Sequence, residues 1–129
     1  MSAATAASWI DSRLESGVRV LTIVVGRLDS KLHPRKEFAQ ALVDAVAGGE
    51  RRYVLNLSNL RYTNHTYGIL QLAFTAGNAL HNTGSRIAVC GLKGHPRRAY
   101  LYADVDRFIP EFRTERQAIA AVSAESAIA

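Results

Sequence analysis

The sequence predicts one α/β domain: a mixed, mostly parallel sheet of roughly four to five strands, with about four helices packed against it, after an N-terminal hairpin. Three observations support this class. The 129 residues are enough for one ordinary hydrophobic core. Short apolar runs alternate with segments whose apolar residues recur at helical spacing. Glycine and proline separate these segments, and no internal repeat or linker divides the chain.

The chain begins with a small, polar stretch over residues 1–8, which predicts a disordered tail. Residues 9–15 and 18–25 are then predicted to pair as a hairpin, because Ser16-Gly17 is a turn signal between them. The second of these runs is rich in β-branched residues and ends at Gly26, where a loop over residues 26–30 follows.

Strands and amphipathic helices alternate through the rest of the chain. Further strands are predicted over residues 53–57, 87–90 and 108–112, and Pro110 makes the last of them an edge strand. Helices are predicted from Pro34 to Gly48, from about Thr66 to Asn82, from His95-Pro96 onward, and after Thr114, which forms a capping box with Gln117. Residues 9–123 therefore form the predicted domain, and residues 124–129 a frayed tail.

The composition and the motifs disfavour several classes of function. Hydrophobic content of 48% and charged content of 21% are typical of a globular protein. No phosphate-binding glycine loop, serine-nucleophile elbow or paired-carboxylate spacing occurs, so we expect no enzyme. The four histidines and one cysteine form no metal-ligand spacing, so we expect neither a metal nor a cofactor. Cys90 lies in an apolar run and is predicted to be a buried small side chain.

Location and partner class follow from the same totals. No apolar stretch reaches the ~20 residues that span a bilayer. With no secretory signal and a single cysteine, the expected location is the cytoplasm, without membrane insertion. The formal charge is +5, but the basic residues are dispersed along the chain, so direct DNA binding is not expected.

The loop over residues 61–68 is the candidate site. A buried strand that leads through a polar loop into a helix places backbone N–H groups at the helix start. Asn64 or Thr66 suits the N-cap position of that helix, and capping alone would explain either residue. A functional loop and a merely capped helix therefore both stay open on these residues.

Several segments, in this order and spacing, resemble the STAS domains, and within them the bacterial anti-sigma-factor antagonists. The resemblance covers roughly residues 10–122. The segments are Gly26-Arg-Leu-Asp29, Val54-Leu-Asn-Leu-Ser58, Gly84-Ser-Arg-Ile-Ala-Val-Cys90, Val105-Asp-Arg-Phe-Ile-Pro-Glu-Phe112 and Glu115-Arg-Gln-Ala-Ile119. The resemblance implies a STAS-type α/β sandwich whose partner is an anti-sigma factor that is also a serine kinase of the histidine-kinase-like ATPase type. Phosphate on a serine or threonine at the start of the second helix would end that binding.

The family loop reads Asp-Ser-Ser-Gly or Asp-Ser-Thr-Gly, and this chain departs from it. Asn64 stands at the aspartate, His65 at the phosphoacceptor, and Tyr67 at the glycine. A slip of one residue instead aligns Thr66 with the acceptor and brings Gly68 close to the glycine. Binding independent of phosphorylation, a shifted switch at Thr66 and phosphorylation of His65 itself are the alternatives.

The resemblance and the helix pattern add supporting residues. Asp29 and Ser30 lie in a loop that the resemblance places beside the recognition loop of Asn64, His65, Thr66, Tyr67 and Gly68. Phe74 lies off the predicted core face of its helix and is a candidate partner contact. Two other functions stay open: a subunit of a larger assembly, such as a stressosome-like core or lipid-transport ATPase complex, and a small-ligand or nucleotide binder. An oligomer is compatible with all three.

Overall fold

The computed structural model describes residues 9–28, 40–41, 44–45, 51–63, 85–102, 104–107 and 109–124. Its strands are β1 (Ile10–Glu15), β2 (Val18–Ile23), β3 (Arg27–Leu28), β4 (Arg52–Asn56), β5 (Tyr62–Thr63), β6 (Arg86–Cys90) and β7 (Glu111–Phe112). Its α-helices are α1 (Gly94–Tyr102) and α2 (Glu115–Ser123), and a 3-10 helix spans Val105–Arg107. Of the two predicted tails, 1–8 and 124–129, residues 1–8 and 125–129 lie outside the described residues, while Ala124 is the C-cap of α2.

A tight hairpin opens the fold, as predicted. β1 and β2 pair antiparallel from Ile10 opposite Ile23 to Glu15 opposite Val18. The turn residues Ser16 and Gly17 both have positive φ, at 52° and 79°. A two-residue loop with this backbone matches the right-handed twist of the strands that it joins.

The main sheet has five strands in the order β1-β2-β4-β6-β7. Only the hairpin pair β1–β2 is antiparallel, because β2, β4, β6 and β7 all run parallel to one another. The predicted mixed, mostly parallel sheet with an N-terminal hairpin is therefore confirmed. The edge position predicted for the last strand is also confirmed.

Both faces of the sheet are buried, which explains why its central strands are continuous apolar runs. One face, with α1 and the 3-10 helix, forms the core of Trp9, Leu21, Ile23, Tyr53, Leu55, Leu57, Leu60, Val89, Leu92, Tyr100, Val105 and Ile109. The other face packs against α2 through Val18, Val20, Val54, Ala88, Cys90, Ala118 and Val122. The central strand β4 alternates between them, with Tyr53 and Leu55 on one side and Val54 on the other.

The helix α2 begins as the sequence predicts. Thr114 accepts a hydrogen bond from the backbone N–H of Gln117, and the Gln117 side chain accepts one from the N–H of Thr114. The described part of the chain contains two α-helices rather than the four predicted for the whole. The helix predicted from Pro34 is represented by helical residues 40, 41, 44 and 45, while that predicted over residues 66–82 lies outside the described set.

Three details differ from the sequence-based expectation. β7 spans two residues rather than five, because Ile109 is a buried core residue whose carbonyl binds Tyr100 and Pro110 lacks an N–H donor. The 3-10 helix was not predicted. A second, two-stranded parallel sheet of β3 and β5 was not predicted either, since two-residue strands carry no periodic pattern.

Candidate functional site

The predicted recognition residues themselves lie outside the described residues: Asn64, His65, Thr66, Tyr67, Gly68, Asp29, Ser30 and Phe74. The structure describes the chain up to the start of both loops. β3 and β5 pair in parallel with Arg27 opposite Tyr62 and Leu28 opposite Thr63. Leu28 and Thr63 are thus paired at the carboxyl end of this small sheet, and Asp29 and Asn64 are the residues that follow them in sequence.

The turns after β2 and β4 are joined by hydrogen bonds. The N–H of Arg61 donates to the carbonyl of Gly26 at 2.7 Å, and the side-chain amide of Asn59 donates to the carbonyl of Ile23 at 3.4 Å. The Asn59 contact lies at the end of the main-sheet strand β2, and the Arg61 contact lies just before the β3–β5 pair begins. They fix the two backbones that lead into the predicted site.

Tyr62 stands at the surface between a cation and a second ring. The guanidinium carbon of Arg27 lies 4.7 Å from the centre of the Tyr62 ring, within the range of a cation–π contact. The imidazole of His95 stacks on the same residue, with ring centres 5.6 Å apart and planes at 17°. Tyr62 remains 40% exposed. This stack ties the start of the predicted loop to the first turn of α1.

A groove of about 1080 Å³ opens beside that turn. It lies between the segment that joins β6 to α1, the edge strand β7 and the outer side of α2. We call it the cationic groove, because the charged residues in its described lining are Lys93, Arg97, Arg113 and one carboxylate, Glu111. The remaining lining is Ser58, Gly91, Leu92, Gly94, Phe112, Gln117, Ala120 and Ala121.

One ion pair crosses the wall of the cationic groove. Nε of Arg97 lies 2.9 Å from Oε2 of Glu111, and Nη2 lies 3.5 Å from Oε1. The Glu111 side chain is only 11% exposed, while that of Arg97 is 48% exposed. The hydrogen bond from Arg97 to Glu111 raises the pKa of Arg97, which therefore stays charged.

Glu115 anchors the start of α2 to the sheet. Its carboxylate accepts a hydrogen bond of 2.6 Å from the side-chain amide of Asn56 and is paired with both terminal nitrogens of Arg13. Asn56 in turn accepts a hydrogen bond of 2.9 Å from the N–H of Ser58. The hydrogen bond from Arg13 lowers the pKa of Glu115, burial opposes this, and the Asn56 amide lowers it further.

Cys90 is not placed for chemistry. It is fully buried under α2, as the sequence predicts, and is the free cysteine of this chain. Burial raises its pKa to about 12, with a further contribution from the charge of Glu115 that Arg13 partly offsets. A thiol in this state is a small core residue rather than a nucleophile.

Two searches of the described ranges bear on other functions. They contain no group of three or more His, Cys, Asp or Glu side chains that could hold a metal ion. Among the same residues, no helix combines the length and the apolar character that a bilayer crossing requires.

Apart from Tyr62, which lies in the predicted loop over residues 61–68, the residues of the Tyr62 stack and the cationic groove were not singled out from the sequence as site residues. Those that follow β2, β4 and β6 are Arg27, Ser58, Tyr62 and residues 91–97, at the carboxyl end of the parallel sheet, which is where such sheets usually bind. Position after each predicted strand was therefore the signal that could have found them. The spacing between Tyr62 and His95 carries no pattern, since they meet only through the fold.

Comparison with solved structures shows what this fold is similar to. An anti-sigma-factor antagonist (STAS) domain protein from Planctomyces limnophilus superposes with a TM-score of 0.75 at 17% identity, covering 89% of this chain and 98% of that one. An anti-sigma factor antagonist from Mycobacterium paratuberculosis gives 0.72 at 20% identity, over 89% and 93%. The Bacillus cell fate determinant SpoIIAA in its phosphorylated form gives 0.60 at 15%, over 88% and 98%.

No protein-family model matches the sequence, and no curated protein matches it either. The likeness is therefore one of fold, at identities where sequence alone finds no relative. It extends over nearly the whole of both chains in each pair.

Proposed function

We propose that this chain, which has the fold of a STAS domain, is a regulatory binding module of the anti-sigma-factor-antagonist type and not an enzyme. The observation that carries the proposal is the superposition, over about nine tenths of the chain, on proteins described as anti-sigma-factor antagonists. Fold alone does not imply function, so the site must support the same conclusion. The partner proposed is an anti-sigma factor that is also a serine kinase, in the cytoplasm.

The described part of the site supports a binding surface. Paired backbones lead into both predicted loops, and Arg27, Arg61 and Tyr62 are exposed just before them. Cys90 is buried with a raised pKa and is therefore not an activated nucleophile. A protein that works by presenting a fixed loop needs a rigid support of this kind, because a preorganised surface loses less entropy on binding.

The finer proposal concerns regulation. Phosphate on Thr66 would add close to two negative charges to the loop and would end binding to an acidic or apolar partner surface. SpoIIAA, which shares this fold, has been solved in a phosphorylated form. Because His65 stands where the family has its phosphoacceptor, the alternative is binding that does not depend on phosphorylation.

Affinity capture from the native lysate tests the proposal, with mass spectrometry of both bait and partners. We expect a kinase-type ATPase with the unmodified chain, phosphate on Thr66 in the unbound pool, and loss of the partner in Thr66→Glu. The matched control is Ser12→Glu, which adds the same charge on the exposed strand β1 and should retain the partner.

The other outcomes are distinct. Capture of the ATPase with no phosphate in the loop and an unaffected Thr66→Glu variant would make the chain a phosphorylation-independent antagonist. Capture of transporter or scaffold subunits in a stable large complex would overturn the proposal in favour of a subunit of a larger assembly. Saturable nucleotide binding without any protein partner would instead indicate a ligand-binding domain.

A further inference from the structure

The charge of the cationic groove is only partly compensated. Arg97 is paired with Glu111, whereas Lys93 and Arg113 are exposed and form no ion pair or side-chain hydrogen bond within the described residues. Among the residues that the structure describes, these two positive charges therefore face the groove without a counter-charge. Such a lining attracts a carboxylate-bearing ligand and steers its approach.

The floor of the groove has a different character. Phe112 is half-buried and provides apolar surface beside the nearly buried Leu92, and the small side chains of Ala120 and Ala121 line the α2 side. A volume of about 1080 Å³ is far larger than a simple anion needs and is of the size that accepts a short peptide segment. The combination fits a segment that carries both acidic and apolar side chains.

The groove adjoins the described residues that lead into the predicted recognition loop. Lys93 and Gly94 line the groove, and the next residue, His95, stacks on Tyr62. Tyr62 and Thr63 lead directly to Asn64 in sequence. The groove and the Tyr62 stack are therefore neighbours on the surface of the described residues.

One feature favours a peptide over single-stranded nucleic acid. Base stacking needs an open aromatic face, and Tyr62, an exposed ring beside the groove, is already in contact with the His95 ring and the Arg27 guanidinium.

We propose that the cationic groove is the docking site for an acidic segment of the partner protein, an inference that rests on the proposed function. Lys93 and Arg113 receive the partner's carboxylates, and an apolar side chain of the segment packs against Phe112. The formal charge of +5 favours an acidic partner for the chain as a whole, and the groove is the site where we place the contact.

Fluorescence anisotropy with a labelled synthetic peptide of about ten residues, rich in Glu with interspersed Leu, tests this in the full chain. We expect saturable binding that weakens about tenfold or more in the double variant Lys93→Glu/Arg113→Glu. The control Arg51→Glu/Arg107→Glu changes net charge equally at exposed positions that do not line the groove, and it should bind nearly as well as the parent. Backbone amide shifts should map to residues 91–97 and 111–117.

Several results would overturn the inference. Equal weakening in both double variants would show a non-specific charge effect, and amide shifts outside the groove would place the peptide elsewhere. Tighter binding of a single-stranded oligonucleotide, or of inorganic phosphate or ATP, at the same residues would assign the groove to those ligands. A thermal melt of each variant checks that the fold is retained.

The two proposals fail separately. If the captured kinase-type partner binds Lys93→Glu/Arg113→Glu as tightly as the parent, the groove assignment is wrong and the proposed function stands. If the acidic peptide binds in the groove but no such partner is captured, the proposed function is wrong and the groove remains an acidic-segment site.

Discussion

Gly91 passes so close to Ser58 that a side chain at position 91 has no space. A Cβ built on Gly91 would lie 2.7 Å from the Ser58 Cβ, 2.8 Å from its backbone nitrogen and 2.9 Å from its Cα. Gly91 also has a φ of +82°, in the left-handed region. The carboxyl ends of β4 and β6 therefore approach each other through a backbone contact beside the cationic groove.

The substitution Gly91→Ala should destabilise the protein by about 3 kcal/mol, because left-handed strain and a clash with backbone atoms add together. Chemical denaturation measures the change. Gly17→Ala is the matched control, since Gly17 has a similar φ of +79° but nothing within 4 Å of the added Cβ, and it should cost about 1 kcal/mol. Equal losses of unfolding free energy in the two variants would show that the contact with Ser58 adds nothing to the cost of Gly91→Ala.

Removing the hydroxyl of Tyr100 should destabilise the protein, because it breaks a buried hydrogen bond. Oη of Tyr100 donates to the carbonyl of Ile109 at 2.6 Å, and both residues are buried. Tyr100→Phe leaves that carbonyl without this donor and should lower the free energy of unfolding by about 1–3 kcal/mol. Tyr102→Phe, at a side chain that is 92% exposed, should change it by less than about 0.5 kcal/mol.

Glu115→Gln should weaken the attachment of α2 to the hairpin and to β4. The carboxylate is paired with Arg13 and Asn56, and the side chains of Glu115 and Arg13 are 26% and 39% exposed, so we expect a loss of about 1 kcal/mol at neutral pH. Because the folded pKa of Glu115 is lowered, its contribution is present above the ordinary value of 4.5 and is lost as the pH falls through the folded value.

Unfolding curves of the parent and Glu115→Gln should therefore converge as the pH falls below about 4.5. Glu15→Gln serves as the control, because Glu15 also contacts Arg13 but its side chain is 50% exposed. The Glu15→Gln variant should have nearly the same free energy of unfolding as the parent at every pH. A difference for Glu115→Gln that persists unchanged in acid would contradict the ionic role of Glu115.

Cys90 should be inert in the folded protein. With its pKa raised to about 12 and no exposed surface, the thiol is protonated and shielded at pH 8. A thiol reagent such as DTNB should react only as fast as the protein unfolds and should react completely in denaturant. Rapid modification of one equivalent in the native state would show that α2 opens readily from the sheet.

The sequence predicts the main sheet well because its signals are local. Ser16-Gly17 marks the hairpin turn, and the apolar runs over residues 53–57 and 87–90 mark strands buried on both faces. The Thr114 and Gln117 capping box sets the start of α2 to the residue. Each of these features depends on neighbours within a few positions along the chain.

The surface around the candidate site could not be predicted in the same way. Arg13 and Glu115 meet across 102 positions, and Tyr62 reaches His95 only after β4 and β6 have paired. The β3–β5 pair forms where the chain leaves the main sheet, and its two-residue strands carry no pattern from which it could be predicted. Contacts of this kind follow from topology, which leaves no periodic trace in the sequence.

The short last strand has a consequence for how copies of this chain can associate. β7 offers only two residues at one side of the sheet, and β1 at the opposite side carries Asp11, Arg13 and Glu15. A flank that is too short, or one that bears charges, is a poor template for the strand of another molecule. Pairing of sheet edges is therefore a disfavoured way for copies of this chain to associate.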